Sequence, residues 1–291
     1  MKPSEKSMNQ ELVQKNTSKK QDSKSPLPLR FSSLKNHPKK QKFYSPSHSK
    51  FTYPISKNIY AKRLKDSDFK GRPMVYVDHE AEDQRGQWRA LFNLPPSAPL
   101  IVEIGCNGGH VSVAKAATDP TSLFLGMDWK FKQIYRAAEK TLQKKIRNAG
   151  WIRGNAERLP YCFSPSEITK LCFYFPDPWT KKSQRKKRLL QAPWFDRIHE
   201  LLADNGSFEL KTDHREYFES VLEEIKALKT DWKLEETSFD LHASCENPEA
   251  KQIPEVTLFE TLFIRKKLPI HRLVLRKKAS IKTECIETRE N

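Results

Sequence analysis

The chain has 291 residues, enough for one ordinary domain with a full core plus appended segments, and carries a formal net charge of +17 with a pI near 9.6. So large a basic excess points to a polyanionic partner, with nucleic acid the commonest. There is no apolar run of the roughly 18 residues a membrane helix needs, and the start MKPSEKSMNQELVQ lacks the apolar stretch of a secretory signal, so the expectation is a soluble cytoplasmic protein without a membrane span.

Residues 1–50 are rich in Lys, Ser, Pro, Gln and Asn and have no apolar period, the composition of a segment that does not fold alone. Twelve Lys/Arg stand there against Glu5, Glu11 and Asp22, which is more than half of the chain's basic excess. They read as a disordered basic N-terminal arm, either a solvated tail or a phosphate-binding arm acting through counterion release. Residues 51–97 hold several aromatics and end in a helical-looking piece, EAEDQRGQWRALFNL, before Pro95-Pro96, as an adapter segment packing on the core would. From Leu100 apolar runs alternate with amphipathic stretches. LIVEIG reads as the first strand and SLFLGMD as the second; FKQIYRAAEKTLQKKI is helical, with apolar residues three and four apart. GWIRGNA and ITKLCFYF follow as strands, APWFDRIHELL as a helix, SFELKTD as a strand, REYFESVLEEIKAL as a helix and VTLFETLFIRKK as a closing strand. Repeated β-α order from 100 to 230 predicts an α/β domain spanning 98–278, with right-handed crossovers and a doubly wound, mostly parallel sheet, followed by a polar tail at 279–291. Cys106, Cys162, Cys172, Cys245 and Cys285 are odd in number and form no C-x-x-C pair, so neither a metal site nor a disulfide framework is expected.

Ligands of such a sheet sit beyond the carboxyl ends of the strands, near the point where strand order reverses. The first strand ends VEIGCNGGH, where Gly105, Gly108 and Gly109 let the backbone turn tightly before a helix beginning near His110. Asp128 ends the second strand, some twenty residues on, at the spacing where a carboxylate accepts hydrogen bonds from a ribose diol. Dinucleotide enzymes share that geometry, but Glu103 before the glycine turn and Asn155 after the third strand resemble the arrangement of S-adenosylmethionine enzymes. The fourth strand runs into FPDPW, where Pro176 and Pro178 hold Asp177 in a stiff extended loop. TKKSQRKKRLL follows, with Lys181, Lys182, Arg185, Lys186, Lys187 and Arg188 as candidate phosphate contacts.

FPDPW with its basic follow-on, KTD at the next strand end and T-x-F-E near the C-terminus together resemble the tRNA (guanine-N7)-methyltransferase family over about residues 75–267. The resemblance implies a Rossmann-like class I methyltransferase fold, S-adenosylmethionine as methyl donor and a variable-loop guanine of tRNA as target, with no metal and an open question of any protein partner. It makes Glu103, Gly105, Asp128 and Asn155 cofactor contacts, and Asp177 the active-site acid, which also borders the cofactor. Lys181, Asp213, Thr257 and Glu260 become contacts to the target nucleotide, although Thr212 and Asp213 also suit a helix N-cap. Three positions depart from the family pattern: Asn107 stands in place of a glycine, Asp128 in place of Glu and Asn155 in place of an acid. The alternative is a noncatalytic RNA-binding protein whose pocket has drifted.

Overall fold

The computed structural model describes residues 58–66, 69, 74–243 and 256–279. The basic arm, the start of the adapter and the tail beyond Ala279 lie outside them. In chain order the elements are α1 (Ile59–Asp66), β1 (Val75–Val77), α2 (His79–Glu82), α3 (Trp88–Leu91), β2 (Leu100–Ile104), α4 (His110–Thr118), β3 (Leu123–Asp128), α5 (Phe131–Gln143) and β4 (Ala149–Arg153). A 3-10 turn (Ala156–Arg158) leads into α6 (Leu159–Cys162), β5 (Ile168–Tyr174) and a second 3-10 turn (Lys182–Lys187). Then come α7 (Ala192–Leu201), β6 (Leu202–Thr212), α8 (Arg215–Lys226), β7 (Trp232–Ser238), α9 (Leu258–Arg265) and β8 (His271–Lys277).

The eight strands form one sheet in the order β1-β4-β3-β2-β5-β6-β8-β7. Six neighbours, β1 through β6, run parallel, and β8 pairs antiparallel with both β6 and β7. Helices cover both faces, so the central strands are near-continuous apolar runs with side chains alternating between two cores. Leu123, Leu125 and Met127 of β3 join Trp88, Phe163, Phe195 and Phe218 on one side, while Phe124 joins Tyr135 and Trp151 on the other. Each such fully buried side chain contributes about 1.5–3 kcal/mol. Helix α5 turns Ile134, Tyr135, Ala137 and Ala138 into the second core and leaves most of its charged residues outside. The buried Trp151 indole donates to Thr141 Oγ1 at 3.0 Å, so its polar atom is satisfied.

Several expectations are corrected. VTLFETLFIRKK is not a strand: Thr257 caps α9, its side chain accepting from the Glu260 N–H while the Glu260 carboxylate accepts from the Thr257 N–H. That reciprocal capping box satisfies two otherwise orphaned donors and outweighs the β-branched and aromatic content. The sheet closes instead on β8, paired with β7, and neither was expected. LIVEIG is the second strand rather than the first, because β1 from the adapter pairs with β4 at the sheet edge. The helical-looking 80–94 piece is two single turns, α2 and α3, separated at Gly86, whose φ is +77°.

Candidate active site

Strand order reverses between β2 and β5, and a cleft of about 350 Å³ opens at their carboxyl ends. One wall is the turn from β2 into α4. Gly105, Asn107 and Gly109 have φ of +67°, +50° and +65°. A Cβ at Gly109 would lie 2.5 Å from the Trp151 ring, so glycine is required there by packing as well as by φ. Asn107 adopts the left-handed conformation that asparagine tolerates better than most residues, and its N–H donates to Asp128 Oδ2 at 3.1 Å. The loop therefore turns as a glycine there would allow, and it is tied to the end of β3. The Lys130 N–H donates to the other Asp128 oxygen at 2.8 Å. Burial raises the Asp128 pKa above the ordinary aspartate value, and these two backbone bonds oppose it.

Glu103 lies deeper in the cleft, 6% exposed, with the Ser112 hydroxyl donating to its Oε2. Burial pushes its pKa up to about 7 against the opposing pull of that hydroxyl and of Lys115. Asn155 lines the same cleft, its side-chain oxygen accepting from the Glu157 N–H at 3.1 Å. The opposite wall is the loop after β5. Phe175 and Trp179, on either side of the Pro-Asp-Pro segment, have φ of +51° and +42°, a conformation that side chains of this size rarely adopt. Arg188 holds that segment from behind: it is 6% exposed, its Nε donates to the Pro178 carbonyl at 2.8 Å and its Nη1 to Ser220 Oγ at 3.0 Å. Asp177 is exposed at the tip and faces the cleft together with Thr257 and Phe259 of the α9 start.

The family described as "Putative methyltransferase" matches residues 97–273, well over half of the chain. The tRNA (guanine-N(7)-)-methyltransferase of Lachnoclostridium phytofermentans is 32% identical over 199 residues, 68% of this chain and 89% of that protein. The chain belongs to the tRNA (guanine-N7)-methyltransferase family. A second relative of that name, from Listeria monocytogenes, is 30% identical over 69% of this chain and 89% of its own length. A bifunctional glycosyltransferase/methyltransferase of Fusobacterium nucleatum is 30% identical over 72% of this chain but only 31% of its own.

Of the residues that the family resemblance singled out, Glu103, Gly105, Asp128, Asn155, Asp177 and Thr257 come together around this cleft. Lys181 and Asp213 are exposed and do not line it. The cap of α8 is His214, whose Nδ1 accepts from the Tyr217 N–H, so Asp213 is not needed for capping. Glu260 is turned inward, 1% exposed, and meets Lys211 Nζ at 3.1 Å and His242 Nε2 at 2.8 Å. Within the basic run, Arg188 is a buried anchor rather than a phosphate contact, and Arg185 pairs with Glu216. Arg188 was hidden by its place in a charge run; the Thr257-x-x-Glu260 spacing was a legible cap signal. Among the described residues no helix is long and apolar enough to cross a membrane, and no group of three His, Cys, Asp or Glu is arranged to hold a metal.

Proposed function

We propose that the cleft binds S-adenosylmethionine and that Asp177 holds the target base against it, the division of labour that a tRNA (guanine-N7)-methyltransferase requires. Membership of that family makes the chain an enzyme transferring methyl groups to N7 of guanine in tRNA. One observation carries the reading of the site: the glycine turn, Glu103 and Asp128 face Asp177 across a single cleft at the switch point of the sheet.

The donor set fits the cofactor. Asp128 is acceptor-only and has lone pairs beyond the two backbone bonds it accepts, which suits a ribose diol. Glu103 suits the ammonium of the amino-acid portion, and Asn155 offers both a donor and an acceptor to an adenine edge. Met127, Val111 and Phe173 supply apolar lining, and the volume lies within the range of small-molecule sites. When bound, S-adenosylmethionine supplies an electrophilic methyl group on a sulfonium centre.

Guanine N7 has an in-plane lone pair and no proton, so the protein need not remove one, and orientation with electrostatics carries the rate. Asp177 accepts from the N–H donors of the base, and the proline-flanked loop with Arg188 behind it keeps the carboxylate from swinging. Lys181, Lys182, Lys186 and Lys187 beside the loop are exposed and suit the phosphates flanking the target.

Methyl transfer to unmodified tRNA, followed by mapping of N7-methylguanosine, tests the reading. Label in the variable loop is expected. Label elsewhere would move the target to another guanine, and RNA binding without any transfer would favour the noncatalytic alternative.

A further inference from the structure

Outside the cleft and the basic run after the Asp177 loop, a second concentration of basic charge lies on α5 and its continuation. From Lys130 through Arg147, both included, there are seven basic residues and one acid, Glu139. Four of them, Lys132, Arg136, Lys140 and Lys144, recur every fourth residue and so share one face of the helix, opposite the buried Phe131, Ile134 and Ala138. Lys132, Arg136 and Lys144 are exposed, and Lys140 is half-buried with its ammonium on the Gly108 carbonyl at 2.8 Å. No ion pair among the described residues neutralises any of the four.

Burial, then the neighbouring Arg136 and Lys144, depress the Lys140 pKa below the ordinary lysine value, and burial with Lys140 and Lys144 does the same to His110 at the cleft. Like charges four apart destabilise a helix, and an amphipathic helix needs only polar residues on its outer face. Their clustering on one face without acidic partners points to a polyanion that supplies the missing charge. Helix α1 extends the surface, because Tyr60 packs on Tyr135 of α5 and Lys62 and Arg63 are exposed beside it. The stripe starts at the cleft, which Lys130 and Gln133 line, and runs roughly 18 Å down the helix from Lys132 to Lys144.

We propose that the outer face of α5, with Lys62 and Arg63, is a docking track for the phosphate backbone of the RNA substrate, separate from the basic residues after the Asp177 loop. The proposal rests on the RNA reading above and adds where the body of the RNA lies. The 181–187 run follows β5 and the α5 stripe follows β3, so the two basic surfaces flank the cleft from either side of β2. A folded RNA resting on both is registered at two points, which sets the angle at which its target base enters.

The test compares two triple variants of the full chain. One is Lys132→Gln with Arg136→Gln and Lys144→Gln, sparing Lys140 because it holds the glycine turn. The other is Lys226→Gln with Lys229→Gln and Lys233→Gln, which removes the same charge near β7, at the opposite sheet edge. Glutamine keeps helix propensity close to that of Lys and Arg, and calorimetric S-adenosylmethionine affinity confirms that each variant is intact. For the α5 triple we expect tRNA affinity about ten- to a hundredfold weaker at 0.1 M salt and a log-affinity against log-salt slope smaller by about two to three. The β7-edge triple should change the slope by less than about one. Equal slopes for the two triples would reduce the effect to net charge and overturn the proposal. An unchanged slope for the α5 triple would show that no phosphate contact is made along the stripe and would overturn it too. Methyl transfer by the unaltered protein, followed alongside, separates failure of this track from failure of the RNA reading itself.

Discussion

Asp177 and Glu103 are both carboxylates on the cleft, one exposed and one buried, and the proposed function gives them different work. Asp177 is exposed on a rigid loop and is available to a base arriving from outside. Removing its hydrogen bonds should act on the reacting complex and not on cofactor binding. We expect Asp177→Ala to lower turnover by about two orders of magnitude or more, with S-adenosylmethionine affinity changed less than about threefold. Collapse of cofactor affinity in calorimetry would put Asp177 in the cofactor shell instead. Glu103, buried and with a pKa near 7, must ionise to receive a cationic amine. Cofactor affinity should therefore fall as pH drops below about 7, approaching tenfold per pH unit, and level off above it. Glu103→Gln should bind weakly with that pH dependence gone; a dependence that survives the substitution would assign it to another group.

At the scale of an element, α9 is the part whose position most depends on a buried charge. It carries Thr257, Leu258 and Phe259 to the cleft, and Phe259 and Phe263 pack against Phe175 of the Asp177 loop. Its third residue, Glu260, ties it to Lys211 at the end of β6 and to His242 beyond β7. Breaking a buried pair leaves its partner desolvated and uncompensated, and Lys211 is only 4% exposed. Glu260→Ala is expected to cost about 3 kcal/mol, roughly 6–12 °C in Tm, with no RNA present. A residue that only touched substrate would leave the thermal melt of the free protein unchanged, so an unaltered Tm would return Glu260 to direct substrate contact.

Across the whole molecule, two buried glutamates bias stability in opposite directions with pH. Glu209, in the middle of β6, is 1% exposed; burial alone would raise its pKa, but Lys170 and Arg272 outweigh it and bring the value down to about 2. Its folded pKa lies below the ordinary glutamate value, so its stabilisation is complete above about pH 4.5 and is lost as pH falls toward 2. Glu103 is the reverse: its contribution is present below about pH 4.5 and disappears as pH rises through 7. Glu209→Gln should lower the guanidinium midpoint at pH 7, by roughly 3 kcal/mol of stability, and flatten the loss between pH 4.5 and 2. An acid limb identical to that of the parent protein would remove Glu209 from the account.

What the sequence determined by itself is what nearest neighbours and periodicity determine. The buried parallel strands around β2, β3 and β5 are apolar runs that helices must cover, and Gly105, Asp128 and the Pro176-Asp177-Pro178 loop stand at or just after strand ends where sheet topology puts a ligand. Repeated β-α order was enough to place them on one edge. The tertiary structure decided the rest, because it depended on partners distant in the chain. Arg188 looks like one more surface cation until Pro178 and Ser220 are seen to enclose it. Residues 257–265 carry enough branched and aromatic side chains for a strand; the local capping box starts them as a helix, while Lys211 and His242, distant in the chain, hold its glutamate inward. Three-residue β1 has too few residues to show a period and becomes a strand by pairing with β4. Local pattern reports which face of an element is apolar; it does not report which distant charge will satisfy a buried one, and that choice turned Glu260 inward while leaving Asp177 at the cleft.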